Sequence, residues 1–403
     1  GVGTELHKIL LAEGYKIDEN CICRDTMKKM NALGIKWCQS KEGRNETTSA
    51  MVKEAKRRDI KISILGISAS PLETMLRWQA RRWLNEAIEA WKCKLNSRRK
   101  LILKCHLSPG DVLTLTATIE SLHQTYPYEY ITDVRTSLSE AWQNNPHIEH
   151  IDNNDQAATT IEMHYDNIHR CNEEPLNMLT GFTEFLGREI ERPLVLKVNH
   201  PVLYLSRDES KWMDQIHEHL TKQKIPFWII NAGVKQDFTA KSWPIEYYQE
   251  IIDQTIGRIQ WAQIGSLEPD HPTLNHCMDL RGKTDHRQLI RLVFHAQGGL
   301  GPATYLMHLC AAFQKPYICL LGGREPPSWV QYPQQHTLHT IGQLPCCKLK
   351  ACWKSRVVPL NDRDEKDRSL CERPVVTLER PSPFCMTMIR PNEVLSILDR
   401  MNQ

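Results

Sequence analysis

The sequence predicts an α/β protein in which two successive parallel sheets face a cleft. Two stretches of alternating strand-like and helix-like segments support this, the first beginning with the apolar run "LILKCHL" and the second with "PFWIINAG". A repeated strand–helix–strand order implies parallel strands joined by right-handed crossovers. Ligands of such sheets collect at the carboxyl ends of the strands, so we expect both halves to share a ligand there.

Length and composition are those of a soluble globular protein with two or three domains. The chain has 403 residues, of which 41% are hydrophobic and 25% are charged. Its net charge of +3 is too small to indicate a nucleic-acid binder. No apolar run approaches the ~20 residues of a membrane span, and the amino terminus lacks a signal-peptide pattern. We therefore expect a cytoplasmic protein with no membrane span; whether it forms a homo-oligomer stays open.

Residues 1–98 are predicted to be a helical extension. The segments "TELHKILLAEG", "CICRDTMKKMNALGIKWC" and "PLETMLRWQARRWLNEAIEAWK" each have the pattern of a helix. In the third segment the apolar residues recur at helical spacing, which predicts a helix that packs on a later domain. These apolar residues are Leu76, Trp83, Leu84, Ala87, Ile88 and Trp91.

The first α/β stretch, residues 99–205, is predicted to contain three elements in clear order and a less regular end. "LILKCHL" is a strand, "DVLTLTATIESLHQTYP" a helix and "YEYITDVRT" a strand. "LSEAWQNNP" is predicted to be a helix that leads to "HIEHID", and "NMLTGFTEFLGREI" a helix within the less regular remainder.

The second stretch, residues 206–343, repeats the alternation. "PFWIINAG", "IQWAQIGS" and "PYICLLGG" are predicted strands, "PIEYYQEIIDQTIG", "DHRQLIRLVFHA" and "TYLMHLCAAFQ" predicted helices, and "GGLGPA" a turn. Residues 344–403 are irregular and cysteine-rich, and "RPNEVLSILDRM" is predicted to close the chain as a helix.

Three positions at predicted strand ends can carry chemistry. Asp111 follows a Ser-Pro-Gly turn and enters the first turn of a helix. There it either complements the helix dipole or acts as a general base that points into the cleft. Lys241 lies on the loop after "PFWIINAG", where a lysine is either solvated or binds a phosphate.

The third position is a glycine-rich segment before a helix. Gly298, Gly299 and Gly301 are predicted to let the backbone turn tightly, after which Thr304 opens the helix. Free N–H groups at such a helix start form an anion site suited to a diphosphate. His308 lies one turn further into the same helix.

These segments together resemble glycosyltransferase family 9, the ADP-heptose heptosyltransferases. The resemblance rests on "PGDVLTLTATIESLHQTYP", "KSWPIEYYQEII", "ATYLMHLCAA" and "PYICLLGG", between about residues 100 and 343. It implies a GT-B fold with two Rossmann-like domains, 99–205 on the acceptor side and 206–343 for the nucleotide sugar. It further implies that Asp111 is the catalytic base and that Lys241 contacts the donor phosphates.

The same resemblance places the donor diphosphate on the backbone amides from Thr304 to His308. It also implies that Gly301, Tyr305 and Met307 bind the donor. The chain departs from the family where the usual D-T-G reads Ala303-Thr304-Tyr305. The loop "QIGSLEPDHP" occupies the position of an acidic residue near the donor ribose, for which Glu268 is favoured and Asp270 is the alternative.

The implied activity is an inverting transfer of heptose from ADP-heptose to an acceptor hydroxyl, without a catalytic metal. The acceptor would be a protein, through Ser or Thr, or a glycan. Two alternatives stay open. One is a transferase that moves another nucleotide sugar onto a glycan or a nucleic-acid base. The other is a non-catalytic module that binds a nucleotide or a glycan.

Clustered cysteines predict metal ligation more than disulfides in a chain without a secretion signal. The tail is similar to that of bacterial autotransporter heptosyltransferases, which carry a cysteine-ligated metal finger. Four thiolates suit structural zinc or iron; unliganded thiols are the alternative. The expected ligands are Cys352, Cys371, Cys385 and either Cys347, which is favoured, or Cys346.

A second, amino-terminal cluster is a further candidate for a metal. Cys21, Cys23 and Cys38 could ligate an ion, with His7 as a fourth ligand. The C-x-C spacing is less diagnostic than C-x-x-C, and the family resemblance gives no guidance for this segment.

Overall fold

The computed structural model describes residues 1–15, 17, 21–57, 69–212, 215–220, 226–268, 270–377 and 380–401. The chain divides into two compact units. The first unit comprises Gly1–Arg99 with Tyr128–Tyr130, and the second comprises Lys100–Pro127 with Ile131–Gln403. Among the described residues, no helix combines the length and the apolar character that a membrane crossing requires.

The first unit is built on helices that share one apolar core. Leu6 of the first helix, Met30 of the second, and Trp83, Leu84 and Ile88 of the fourth belong to this core. The helices are α1 (Val2–Ala12), α2 (Ile22–Gln39), α3 (Lys41–Arg57) and α4 (Ala69–Asn96).

Two features of this unit differ from the sequence-based expectation. The apolar face of α4, which was predicted to pack on a later domain, is mostly buried with α1 and α2 in the unit's own core. Of the later residues, Tyr128 contacts its Trp91 ring at a centroid distance of 4.7 Å. Helix α3 was not predicted. Its buried apolar side chains are few, Met51 and Val52 among them, so its periodic signal is weak.

The second unit begins with a three-stranded sheet of order β2-β1-β3, in which β1 and β3 run parallel. Its elements are β1 (Arg99–Cys105), α5 (Pro109–Thr125), β2 (Tyr130–Thr136), β3 (Ala158–Glu162) and α6 (Met178–Glu189). Strand β3 lies in the stretch expected to be irregular. Because Thr159, Thr160 and Glu162 are exposed and Ile161 is buried, its apolar pattern is short.

Two further segments of this region are shorter than predicted. "LSEAWQNNP" forms only a 3-10 turn, Ser139–Trp142. "HIEHID" contributes a single bridge between Ile148 and Thr132. The polar residues at 143–145 end the apolar pattern before a full helix can form.

A six-stranded parallel sheet of order β6-β5-β4-β7-β8-β9 forms the centre of the second unit. Its elements are α7 (Gln215–Leu220), β4 (Phe227–Ile230), α8 (Ile245–Gln254), β5 (Gln260–Gln263), β6 (Met278–Asp279), α9 (His286–His295), β7 (Gly298–Pro302), α10 (Tyr305–Ala312), β8 (Tyr317–Gly322), α11 (Pro327–Val330) and β9 (Gln335–His339).

The prediction that "GGLGPA" is a turn is wrong. Residues Gly298–Pro302 form β7, between β4 and β8. Glycine is needed here because large rings lie against the strand: a Cβ on Gly298 would lie 2.7 Å from the Trp228 ring, and one on Gly299 would lie 3.0 Å from the Tyr317 ring. The glycines therefore serve close packing in the sheet.

The tail packs on this sheet. Cys347, Cys385, Met386, Val394 and Leu398 belong to the same apolar core as β4, β5 and β8 residues. The tail elements are β10 (Pro374–Val376), β11 (Pro381–Pro383), α12 (Phe384–Thr387) and α13 (Pro391–Met401), with β10 and β11 antiparallel. Helix α13 agrees with the predicted closing helix.

Candidate active site

Asp111 lies at the start of α5, where its carboxylate has two hydrogen-bond partners. One oxygen, Oδ2, accepts the backbone N–H of Ser108 at 3.1 Å, which is part of a capping box. The other oxygen, Oδ1, accepts a hydrogen bond from the Tyr165 hydroxyl at 3.0 Å. The side chain therefore caps the helix and is held in a fixed orientation, so the two interpretations of Asp111 are compatible.

The environment of Asp111 favours a base. Burial raises the pKa of the Asp111 carboxyl, while the Tyr165 hydroxyl and the Lys241 ammonium oppose that rise. Tyr165 follows β3 and contacts the rings of Phe182 and Trp329 at centroid distances of 5.1 and 5.8 Å. A carboxylate with a raised pKa accepts a proton more readily near neutral pH.

Lys241 ends the 3-10 segment Gln236–Lys241 that follows β4. Its Nζ donates to the Ala303 carbonyl at 2.8 Å and pairs with Glu325 Oε1 at 3.0 Å. Its side chain is 19% exposed. Burial lowers the pKa of Lys241, and the Glu325 carboxylate opposes this effect. Because Ala303 precedes the start of α10, the ammonium lies at the amino end of that helix.

Helix α10 begins after Thr304, whose hydroxyl accepts a hydrogen bond from Asn231 Nδ2 at 3.2 Å. The first amides of a helix have no partner within it and can bind an anion. Tyr305 is half-buried, and Met307 and His308 are buried. His308 Nδ1 lies 2.7 Å from the Tyr332 hydroxyl. Burial lowers the pKa of His308 to about 3, so the ring is neutral.

A close approach joins the Asp111 turn to α10. A Cβ on Gly110 would lie 2.9 Å from His308 Cδ2 and 3.8 Å from the Tyr305 Cα. Only glycine leaves room for this contact. The structure thereby brings together Asp111, Lys241 and the Thr304–His308 segment, which the sequence places far apart.

Arg324 and Glu325 complete the cluster and were missed by sequence reasoning. They follow β8 and are 6% and 5% exposed. Arg324 pairs with Glu325 and donates through Nε to the Lys354 carbonyl at 2.7 Å. The sequence could have indicated them, because two charged residues follow the apolar strand β8 and the carboxyl ends of strands line ligand sites in parallel sheets.

The two candidates for the donor ribose lie on the loop after β5. Glu268 is exposed on the loop after β5, and within the described residues no side-chain hydrogen bond links it to the Asp111–Lys241 cluster. Asp270, its alternative, is half-buried and its Oδ2 has no hydrogen-bond partner in the part of the chain that is described. Gly301 lies within β7, where a Cβ would be 2.8 Å from the Asn231 carbonyl oxygen.

The tail cysteines gather around Gly323. Cys346, Cys347, Cys352, Cys371 and Cys385 line one cavity of about 20 Å³. A Cβ on Gly323 would lie 2.8 Å from Cys347 Sγ, and the Cys352 N–H donates to the Gly323 carbonyl at 3.1 Å. Across the described ranges, no group of three or more His, Cys, Asp or Glu side chains has the arrangement of a metal site. The predicted metal ligands thus line the same cavity, but their described positions do not have the spacing of a metal site.

Two of the three amino-terminal cysteines are paired. Cys21 and Cys23 form a disulfide with each other, so the expectation that both ligate an ion together with Cys38 is wrong. Cys38 is a buried thiol whose pKa burial raises to about 11, and it therefore stays protonated. His7 is half-buried on α1. Pairing within C-x-C removes two of the candidate ligands.

Comparison with known proteins gives one family match. Residues 196–353 match the family model described as glycosyltransferase family 9 (heptosyltransferase). This range contains Lys241, α10 and Glu325, whereas Asp111 lies before it. No curated protein matches the chain.

Several solved structures are similar at low identity. A family 9 glycosyltransferase from Veillonella parvula is 13% identical, with a TM-score of 0.48 over 60% of this chain and 86% of that one. The E. coli ADP-heptose LPS heptosyltransferase II is 15% identical, with a TM-score of 0.48 over 74% and 97%. The iron-containing dodecameric heptosyltransferase TibC, solved with ADP-D-beta-D-heptose, is 14% identical, with a TM-score of 0.49 over 76% of each chain.

The matched range contains the six-stranded sheet, Lys241 and the start of α10, which lie beside Asp111 in the site described above. Residues 196–353 thus match the family model of glycosyltransferase family 9 (heptosyltransferase), and this match supports a glycosyltransferase.

Proposed function

We propose that the chain transfers a sugar from a nucleotide diphosphate sugar to an acceptor hydroxyl, with inversion at the anomeric carbon. The observation that carries this proposal is the meeting of the Asp111 carboxylate and the Lys241 ammonium at the amino end of α10. A displacement between two substrates needs a base for the acceptor and an anion site for the donor phosphates. Here the base follows a strand of the three-stranded sheet, and the anion site follows strands of the six-stranded sheet. ADP-heptose is the proposed donor because the matching family model is that of heptosyltransferases.

The proposed mechanism has one displacement step. Asp111 takes the proton of the acceptor hydroxyl, and the oxygen attacks the anomeric carbon. The bond from that carbon to the diphosphate oxygen breaks, and its electron pair leaves with the nucleoside diphosphate. Lys241 and the first amides of α10 stabilise the negative charge that develops on the phosphates. The groups of the chain thus supply both the base and the charge stabilisation.

The environment of Asp111 supports its role. Tyr165 holds the carboxylate while burial raises its pKa, so a proton can be accepted and then released to solvent. The neutral His308 ring packs under the Asp111 turn and adds no charge to the site.

A donor screen tests this function. Thermal stabilisation and transfer would be measured with ADP-heptose, other ADP-sugars, GDP-sugars and UDP-sugars, since a ligand that binds the folded state raises the Tm. ADP-heptose is expected to give the largest shift and to be consumed. A preference for GDP- or UDP-sugars would replace the donor assignment. A chain that binds nucleotides without turnover on any acceptor would be a non-catalytic module.

We further propose that the acceptor is a hydroxyl of a protein, through Ser or Thr, or of a glycan. The cysteine-rich tail supports the protein branch, because it resembles the tail of protein-modifying heptosyltransferases. Incubation with radiolabelled donor, followed by protease or glycosidase digestion of the product, separates the two. Label on a nucleic-acid base would contradict both.

The tail thiols are proposed to hold a structural zinc or iron ion. Cys347, Cys352, Cys371 and Cys385 line one cavity, and four thiolates are a donor set suited to either metal. When bound, the ion would cross-link tail segments that are far apart in sequence. Metal analysis of the purified chain is expected to give one ion per chain, which Cys371→Ser loses and Cys277→Ser, outside the cavity, retains. Equal metal content in both variants would contradict the site.

A further inference from the structure

We propose that Glu325 is a positioning residue that holds the Lys241 ammonium in place for the donor diphosphate. Nothing in the family match assigns a role to this glutamate. The inference rests on the proposed function, because it assumes that Lys241 contacts the phosphates.

Contacts on both sides fix the position of the ammonium. Lys241 Nζ donates to the Ala303 carbonyl at 2.8 Å and pairs with Glu325 Oε1 at 3.0 Å. Ala303 offers only a backbone carbonyl, so Glu325 is the one carboxylate that forms an ion pair with Lys241 among the described residues. Two acceptors from β7 and β8 segments therefore orient a side chain that is itself carried on the loop after β4.

Glu325 is in turn held by Arg324. The Arg324 guanidinium pairs with Glu325 Oε1 and donates to the Lys354 carbonyl. It lies over the rings of Phe238 and Trp353, at 5.3 and 5.5 Å from their centroids. A guanidinium fixed in this way gives the carboxylate little freedom to turn away from Lys241.

The charges of the cluster suit an incoming anion. Lys241 and Arg324 are cations, Glu325 lies between them, Asp111 is on the α5 side and His308 on α10 is neutral. A buried ammonium without a counter-ion tends to lose its proton. Glu325 therefore keeps Lys241 charged. Because Arg324 adds a second positive charge beside Glu325, the three side chains together keep a net positive charge that can attract a phosphate. Its Oε2 has no hydrogen-bond partner in the described part of the chain.

A double-mutant cycle tests the proposal, with ADP and ADP-heptose as the probes in calorimetric titrations. Glu325→Gln is expected to weaken binding about tenfold when Lys241 is present. In the Lys241→Met background the same change is expected to alter binding by less than about twofold, since a residue that acts through Lys241 has nothing left to position. Equal losses in both backgrounds, or no loss in either, would overturn the proposal.

Two further variants separate positioning from stability. Glu325→Asp keeps the charge and shortens the reach, so binding is expected between that of the wild type and Glu325→Gln; this also tests the proposal if Glu325→Gln does not fold. Glu120→Gln is the matched control, because Glu120 is a partly buried carboxylate bonded to Tyr204 and Gln124. It is expected to leave ADP affinity unchanged, and an equal loss there would point to a general effect of stability.

The same measurements separate the role of Glu325 from the donor site at Lys241. If Lys241→Met weakens ADP binding and Glu325→Gln does not, only the role of Glu325 is wrong. If Lys241→Met leaves ADP binding unchanged, the proposed donor site is wrong, and the role of Glu325 falls with it.

Discussion

At the scale of single residues, Asp111 is bonded on both carboxylate oxygens. Ser108 and Tyr165 each donate one hydrogen bond to it. A carboxylate oxygen has two acceptor sites, so each oxygen keeps one for an acceptor hydroxyl. The helix cap therefore orients the Asp111 carboxylate and still leaves it free to accept a further hydrogen bond, as the proposed base must.

Tyr165→Phe should shift the pH profile of the enzyme. The Tyr165 hydroxyl lowers the pKa of Asp111, so its removal raises that pKa further. A smaller fraction of the base is then deprotonated at a given pH. The acidic limb of kcat/KM is expected to move to higher pH.

The control for this shift is Tyr204→Phe, which removes a hydroxyl bonded to Glu120 instead. Its acidic limb should match that of the wild type. An unchanged limb in Tyr165→Phe would remove Asp111 from the titration that controls the rate.

At the scale of elements, the Asp111 turn and α10 depend on each other. The first residues of α5 pack directly on His308 through Gly110. This contact fixes Asp111, the proposed base, relative to the start of α10, because α5 follows β1 of the three-stranded sheet and α10 follows β7 of the six-stranded sheet.

Gly110→Ala should force these elements apart. The new methyl group would lie 2.9 Å from His308 Cδ2, and overpacking of this kind costs about 1–3 kcal/mol. We expect a lower free energy of unfolding, measured in urea, and a lower kcat. In the double variant Gly110→Ala/His308→Ala the space is restored, so the stability loss should be smaller than the sum of the single losses. Additive losses would show that the contact is not the cause.

A second link between elements joins the tail to Lys241. Arg356 is fully buried and donates to Asp362 at 2.8 Å and to Asp237, which lies on the segment that ends at Lys241. The Ala240 N–H donates to the Ser355 carbonyl at 3.0 Å. The tail thereby holds the lysine loop in place.

Arg356→Met is expected to loosen that loop. It leaves the acidic partners without their shared cation, so the Tm should fall by several degrees and donor affinity should fall with it. Arg258→Met, which removes an exposed arginine paired with Asp399, should change neither quantity measurably. Donor affinity that stays at the wild-type level in Arg356→Met would separate the tail from the site.

At the scale of the whole molecule, each unit has its own apolar core. The first contains Leu6, Met30 and Leu84, and the second contains Trp243, Trp261 and Leu320. All the groups assigned to the donor lie in the second unit.

Hydrogen exchange followed by mass spectrometry should reflect this division. Addition of ADP-heptose is expected to slow exchange in α10 and in the segment Gln236–Lys241, because ligand binding suppresses local opening. Exchange in α1 to α4 should stay the same. Protection confined to α1–α4 would place the donor in the first unit and contradict the assignment.

The alternation of apolar strands and amphipathic helices predicted β1, β2, β4, β5 and β8 with helices α5, α6, α8, α9 and α10, but it missed the short strands β3, β6 and β9. It failed for β7, because glycines that admit the Trp228 and Tyr317 rings look like a turn when those rings are unknown. The approach of Gly110 to His308, and the pairing of Glu325 with Lys241, join residues far apart in sequence. Local patterns carry no information about such contacts, whereas the family resemblance supplied Asp111 and Lys241 individually.

The most direct test of the account is the turnover of Asp111→Asn with its donor affinity measured in parallel. Asparagine keeps an oxygen that can cap α5, so the fold should be retained, but it cannot take a proton at neutral pH. We predict that kcat falls by at least about a thousandfold while the Kd for ADP stays within about twofold of the wild type. Turnover near the wild-type rate would contradict the assignment of Asp111 as the base.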